Sequence, residues 1–491
     1  MAAAAGSSLP AADRLLHPNA FARAPQRHRS RSSVVLPVFN ETDSLKLILQ
    51  EKLPKASMED EHDTAPTPVH NYTTRDFVFR LKPSSTSDSM GPNDFEQLWM
   101  ERWDGASQRK VTNYDLNLIY KMLPGRYRFT SQLNIERGTL RRKPHPFRTL
   151  NDPVDPRRFN FSRIKHREVL VDLRCADAPL TADPLDRHLM AVNLSPLERA
   201  HSLLLPCHYK TLSQRLDDSA LRMGLHVMLL SRHARCHVLY NSLLAFASVN
   251  NLHAHALIWP YNSEIFKRPV ERVTRHLHVL HSPAQWYVPA FVFQLTGARH
   301  METFIKTVLT AVQLLHERDV AHNVFMGRAP ALTTTQPSTS NAAAAGDVGE
   351  LRFGAEDDDD DDGAEETTTD EEAEDDLSNL VLPNGQPFRE TPLLVTLYLF
   401  PRRSMSGSKP PTAFNPAAFE LAGHLLIYTH RFFQSLTERA ALRVIEADAA
   451  LAEGVFDELQ TELVRRLTTE PVPPSPPSPP ADTAVVSGSV E

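Results

Sequence analysis

Cysteine is scarce in this chain. Its 491 residues include three, Cys175, Cys207 and Cys236, well separated and without CxxC spacing. An odd, dispersed set makes no disulfide framework and fits a reducing compartment. Long apolar runs are also missing: none approaches the roughly 18 residues that cross a bilayer as a helix. No secretory h-region is read, so no membrane partner is expected. There is no GxGxxG, no Walker loop, no GxSxG and no HExxH, which removes the usual sequence signals for dinucleotide binding, P-loop chemistry, esterase chemistry and zinc proteolysis. No further Cys or His ligands cluster beside the paired histidines discussed below, so no metal centre is expected.

What is present is ordinary for a soluble globular protein: 41% hydrophobic and 23% charged residues. The length allows two or more domains, or one large duplicated one. The net charge of −7 is misleading, because Glu356–Asp376 holds 15 acidic residues and no basic one, leaving +8 for the rest. A mildly basic body suits a polyanionic small molecule such as a nucleotide and is compatible with weak nucleic-acid contact; charge alone weighs little for either, and no nucleic-acid partner is expected.

Along the chain, residues 1–40 read as a disordered tail. Arg14, Arg23, Arg27, Arg29 and Arg31 face the single acid Asp13 there, a pattern shared with mitochondrial presequences. A short helix is read over Ser44–Lys52, a strand at Phe77–Leu81 and a capped helix from Asp94 to Arg102. Strands follow at Phe129–Leu133, Glu168–Leu173, Leu189–Leu194 and Leu203–Leu205. An apolar helix spans Leu216–Arg232, a strand Trp286–Leu295 and an amphipathic helix His300–Arg318. Residues 327–387 lack the apolar content to order themselves and read as a disordered acidic insertion. It separates two strands, Val320–Met326 and Leu393–Phe400, that are expected to pair. Residues 416–466 read as helical, and 469–491 as a Pro-rich disordered tail. Strands without regular β-α-β alternation predict an α+β fold with antiparallel sheets and packed helices.

The stretch Tyr240–Trp259 ends in a strand pattern. His253 and His255 share one face there, while Leu252, Ala254 and Ala256 point the other way. Such a pair suits nucleophilic work on phosphate or metal binding. With 22 histidines in the chain, spacing alone does not separate it from a second pair, His276 and His278, or from packed histidines without a role.

Wider motifs single out the first pair. They are Leu123-Pro124-Gly125, Gln132-Leu133-Asn134, Glu136-Arg137, Phe159-Asn160-Phe161-Ser162 and Asn193 to His201 followed by Leu203 to Pro206. Then come Asn241-Ser242, Ala245 to Asn250, Leu252-His253-Ala254-His255, Pro269-Val270-Glu271, His322 to Phe325, Leu399-Phe400-Pro401 and Phe419 to Leu425. Together, and in this order, they resemble the GDP-D-glucose and GDP-L-galactose phosphorylase family of the histidine-triad/galactose-1-phosphate uridylyltransferase superfamily. The likeness runs from about Phe95 to about Leu467, apart from the acidic insertion.

The resemblance implies a duplicated histidine-triad-like fold. A catalytic half would occupy 41–265, and a degenerate half without the nucleophile 266–468. It implies that His253 attacks the α-phosphorus of a GDP-hexose, that His255 donates to a phosphate oxygen, and that inorganic phosphate then releases GDP. Asn241 and Ser242 are expected to bind substrate or to form a turn before a strand. His201 lies at the nucleotide edge or makes a structural bond, and Gln132 and Asn134 are further substrate-binding candidates. Arg137, Arg141 and Arg142 either hold phosphate or form a solvated basic loop, the plainer account. The family normally has His where this chain has Asn251, still expected at the substrate, and a glycine-like residue where it has Leu239. No cofactor is implied, a homodimer is left open, and the compartment is cytoplasmic, or mitochondrial if the N-terminus is a presequence. The rivals are a nucleotide-sugar hydrolase or nucleotidyltransferase of the same superfamily, and a non-catalytic binding protein.

Overall fold

The computed structural model describes residues 66–142, 145–183, 185–335, 390–405 and 413–469. The expected N-terminal tail, the Ser44–Lys52 helix, the acidic part of the insertion and the tail from Glu470 lie outside those residues.

Sixteen described strands follow in chain order: β1 Val69–Tyr72, β2 Arg80–Leu81, β3 Ile119–Met122, β4 Thr130–Leu133, β5 Val169–Cys175, β6 Leu189–Val192, β7 Ser202–Leu205, β8 Cys236–Asn241, β9 Ala254–Ile258, β10 Val270–Arg272, β11 His278–Leu280, β12 Ala290–Leu295, β13 Ala321–Ala329, β14 Thr334–Thr335, β15 Leu393–Arg402 and β16 His424–Ile427. The large sheet has the order β1-β5-β6-β7-β9-β8-β13-β15-β12-β11-β10-β14, with β2 on β15; a small one has the order β16-β4-β3. Most neighbours are antiparallel; β1/β5, β10/β14 and β4/β16 are parallel. The α+β expectation holds, and β8 on β13 joins the two halves of the chain in one sheet.

Each face of the large sheet is covered. Val238, Tyr240, Leu252, Ala254 and Ala256 pack into one apolar cluster with residues of the helices Asp94–Gln108, Asp218–Leu230, Met301–Glu317 and Val455–Thr469. The intervening Leu239 and Leu257 belong to a second cluster, shared with Phe129, Leu133, Leu425 and Ile427 of the small-sheet region. This is the period-2 alternation of a strand buried on both faces. The helix Asp94–Gln108 opens with a capping box: Glu96 N donates to Asn93 Oδ1 at 2.9 Å, and Asn93 N to Glu96 Oε2 at 3.2 Å. Two of its tryptophans pin β7 and its approach, Trp99 Nε1 on Ser202 Oγ at 2.8 Å and Trp103 Nε1 on His201 O at 3.0 Å.

Several boundaries differ from the sequence reading. The expected hairpin partners do pair, Ala321–Ala329 with Leu394–Arg402, but β13 continues through Gly327–Ala329, so the insertion does not begin at 327. Arg328 looks like a strand-ending charge, yet it is buried, with Nη2 on Val78 O and Met228 O, each at 2.7 Å. At Gly327 any side chain would meet Phe266 and His237, so glycine here marks close packing rather than a loop. Residues 416–466 are not continuously helical. Gly423 turns the chain at φ +98°, and His424–Ile427 joins β4 as a strand. Helices Glu438–Ala449 and Val455–Thr469 follow. Of the expected strand Phe77–Leu81, only Arg80–Leu81 pairs.

Candidate active site

His253 immediately precedes β9, and His255 lies within it. Both line a cleft of about 200 Å³. Its floor is the end of the β6-β7-β9-β8 segment. One wall carries Phe159, Phe161, Ile164 and Glu168, and the other Asn415, Ala417, Ala418, Glu420 and Tyr428. The second pair, His276 and His278, is not in this cleft; it sits at β11, towards the far edge of the sheet.

The hydrogen bonds define the tautomer of each ring. His253 Nδ1 lies 2.7 Å from Asn251 O. A carbonyl only accepts, so Nδ1 carries the proton and Nε2 keeps its lone pair. Among the described residues Nε2 has no hydrogen-bond partner. Burial pulls the imidazole down to about 4, so the ring is neutral near pH 7. For His201, Leu197 N donates to Nδ1 at 2.9 Å, which leaves the proton on Nε2. That Nε2 lies 3.2 Å from His255 Nδ1, which therefore accepts, and His255 carries its proton on Nε2. Asn193 is oriented by Ser195 N donating to its Oδ1 at 3.0 Å, and its Nδ2 reaches the same His255 Nδ1 at 3.4 Å. Burial holds His201 and His255 well below the usual imidazole range, so both stay neutral. The pair thus offers one lone pair, on His253, and one N–H donor, on His255.

Gln214 holds the backbone of His253. His253 N donates to Gln214 Oε1 at 2.9 Å, while Gln214 Nε2 donates to His253 O at 3.0 Å and to Asn241 O at 2.9 Å. The loop after β8 forms part of the cleft wall through Phe246, Ala247, Ser248 and Val249. Leu244 and Phe246 hold φ of 59° and 73° there, a strained conformation for bulky residues. The Arg402 guanidinium sits 4.9 Å from the Phe246 ring.

Asn241 lines the cleft, with Oδ1 accepting from Asn323 Nδ2 at 2.7 Å and Ala418 N at 3.1 Å. His201 lines it too. Four other expected substrate contacts have side chains turned to the protein, and none lines the cleft. Asn251 Oδ1 accepts from Phe161 N at 2.8 Å and its Nδ2 donates to Leu212 O at 3.0 Å. Its main-chain carbonyl, not its side chain, serves His253. Ser242 Oγ bridges Leu243 O and His322 N, a turn before the loop. Gln132 Nε2 donates to Tyr120 Oη and Leu197 O. Asn134 caps the helix Ile135–Leu140 by accepting from Arg137 N at 3.1 Å. Leu239, opposite His255 in the β8/β9 ladder, lines the cleft beside it.

The basic loop is not simply solvated. Arg137, Arg141 and Arg142 all line the cleft; Arg141 stacks on Tyr428 at 5.2 Å and Arg142 on Phe159 at 3.3 Å. Glu420 is buried, and burial pushes its carboxyl up to about 7. Sequence reasoning gave no role to Asn193, Gln214, Glu420 or Tyr428. The first and third lay inside quoted motifs; a lone glutamine before a helix gave no signal. Among the described residues, no group of three or more His, Cys, Asp or Glu is placed to hold a metal ion, and no helix is long and apolar enough to cross a membrane.

Known proteins resemble this chain along most of its length. Residues 94–257 match the family model described as GDPGP1-like, N-terminal domain, and residues 395–470 match GDPGP1-like, C-terminal domain. The chain is 39% identical over 81% of its length to GDP-D-glucose phosphorylase 1 of Caenorhabditis elegans, covering 75% of that protein. It is 32% identical over 78% of its length to the human GDP-D-glucose phosphorylase 1, covering 86% of it. To GDP-L-galactose phosphorylase 2 of Arabidopsis thaliana it is 24% identical over 74% of its length, covering 75% of the plant protein. A crystal structure of yeast Ap4A phosphorylase in complex with Ap4A covers 73% of the chain, and 97% of its own, at 14% identity and a TM-score of 0.45. The identity and mutual coverage shared with the animal enzymes establish that the chain belongs to the GDP-D-glucose phosphorylase family.

Proposed function

We propose that this protein is a GDP-D-glucose phosphorylase that converts GDP-glucose and inorganic phosphate to GDP and glucose 1-phosphate through a guanylyl-histidine intermediate. The observation that carries the reading is the open Nε2 lone pair of His253, held by the Nδ1–H bond to Asn251 O. Nε2 bonds to the α-phosphorus as the bond to the bridging oxygen breaks, and the electron pair leaves on glucose 1-phosphate. An oxygen of hydrogen phosphate then attacks the same phosphorus, and the pair returns to Nε2. The proton on Nδ1 stays in place throughout, so no base need remove it. His255, with its proton on Nε2, donates to a non-bridging oxygen as negative charge grows there.

The cleft's asymmetry supports an orientation. The Phe159 and Phe161 wall suits a planar base, and the wall with Arg137, Tyr428 and Glu420 suits phosphate and sugar hydroxyls. The division at 265/266 then has functional sense: the first half brings the histidines, and the second brings Asn415 to Glu420 as the opposite wall. Asn241 and His201 are the retained polar contacts for substrate and for His255. A cytoplasmic site of action is supported by three buried free thiols; fractionation with and without residues 1–40 tests it against a mitochondrial one.

The test is product identity. GDP-glucose with phosphate is expected to yield GDP, and without phosphate an acid-labile, alkali-stable guanylyl label on the protein. His253→Asn is expected to abolish both. Release of GMP regardless of phosphate would favour the hydrolase reading, and a label that persists in His253→Asn would exclude the mechanism.

A further inference from the structure

One charged group in the cleft has no ion-pair partner among the described residues. Arg137 sits at the N-terminal end of the helix Ile135–Leu140 and lines the cleft. Its Nη1 donates to Ser195 O, and its Nε is sealed from solvent without a hydrogen-bond partner. No ion pair engages it among the described residues. Tyr114 hydrogen-bonds it and acts on it most strongly, then Tyr428, and after them the Glu420 carboxyl across the cleft, which gains a proton more readily than an ordinary one because it is buried. A guanidinium in a cleft wall, partly stripped of water and without a fixed carboxylate, is costly unless an anion arrives. An N–H of the guanidinium not taken by Ser195 O can donate to a phosphate oxygen.

The position selects which anion. Arg137 acts electrostatically on both His201 and His255, so it stands on the His255 side of the nucleophile. Arg142 instead acts on His253 and stacks on the Phe159 wall. Arg141, at 3.4 Å from Tyr428 Oη, adds a second guanidinium at the same end. A nucleotide bound by its base against Phe159 and Phe161 would extend its second phosphate past His255 towards Arg137.

We propose that Arg137 binds the phosphate exchanged at His253: the β-phosphate of the leaving hexose phosphate in the first displacement, and inorganic phosphate in the second. This rests on the phosphorylase reading above. One subsite serves both steps because the leaving and entering groups are chemically the same phosphate, approaching the α-phosphorus on the same line. Glu420 lies across the cleft, its Oε2 accepting from Ala417 N at 3.0 Å. The subsite makes phosphate, rather than water, the acceptor.

The test uses the full chain and the variants Arg137→Gln and Arg137→Lys. Three readouts of turnover and labelling are needed, beside a binding measurement: KM for phosphate with GDP-glucose, the GMP to GDP ratio, and guanylylation of His253 by guanosine 5′-phosphorimidazolide. The last donor has a leaving group without phosphate. In Arg137→Gln, KM for phosphate is expected to rise at least tenfold and products to shift towards GMP, with labelling by the phosphorimidazolide within threefold of the parent. Arg137→Lys, which keeps the charge but not the guanidinium, is expected to fall between. Calorimetric binding of inorganic phosphate alone, which needs no turnover, is expected in the parent and lost in Arg137→Gln. Unchanged phosphate KM and phosphate binding in Arg137→Gln overturn the inference. So does a loss of phosphorimidazolide labelling equal to the loss of phosphorolysis, which would mark general damage. If the parent binds phosphate through Arg137 yet forms no GDP, the phosphorylase reading fails while the subsite stands.

Discussion

Replacing Gln214 by methionine is a direct test of how the nucleophile is held. The side chain is buried and makes three hydrogen bonds, to His253 N, His253 O and Asn241 O, at 2.9, 3.0 and 2.9 Å. Methionine fills similar space and makes none of them. Three main-chain groups are then left short of a partner in the interior, and each such group costs about 1–3 kcal/mol. Local relaxation and the apolar gain of methionine offset part of this, so a loss of about 3 kcal/mol is expected. At about 2–4 °C per kcal/mol for a mid-sized domain, Tm should fall by about 6–12 °C. Freed from both sides, His253 no longer presents Nε2 at a fixed angle, and misplacement on this scale costs about a hundredfold in rate. The assay pairs thermal unfolding with steady-state kinetics; kcat should fall far more than KM for GDP-glucose rises. Gln214→Glu is the companion. It keeps the shape but sets an oxygen against two carbonyls, and burial favours its neutral form. Its deficit should therefore be greatest at high pH and shrink as pH falls and the acid becomes a donor. A Gln214→Met protein with parental Tm and kcat would refute the claim that this side chain fixes the site.

Two further outcomes follow from the same geometry. Because burial holds His253 at about 4, guanylylation in the absence of phosphate should be flat from pH 8 to about 5. It should fall only as protonation blocks Nε2 near pH 4; an acid limb at the ordinary histidine value of about 6.5 would contradict the buried, carbonyl-bound ring. Replacing residues 336–389 with a Gly/Ser linker of about eight residues should leave phosphorolysis unchanged, since β13 and β15 pair across the gap without it. Shortening the loop by three halvings gains roughly 2 kcal/mol in closure entropy, so Tm should hold or rise, and a large loss of activity would show that the segment contributes to the site.

Most of the strands, the main helices and the paired histidines could be read from the chain itself, because each leaves a local mark. Period-2 apolar alternation marks β5 and β9, a capping residue marks the start at Asp94, and the motif around His253 is contiguous. Tertiary structure alone decided which polar residues face the cleft. Asn251, Ser242, Gln132 and Asn134 look like binding residues by type, but each has an amide or hydroxyl taken up by a backbone group distant in sequence. Conversely, Arg328 and Gly327 look like loop and lie deep in a nine-residue strand. The tautomers of His201, His253 and His255 likewise depend on Leu197 N, Asn251 O and one another. A hydrogen bond between segments far apart in sequence has no local signature, so the sequence supplied the imidazoles and the fold decided which nitrogen of each is free.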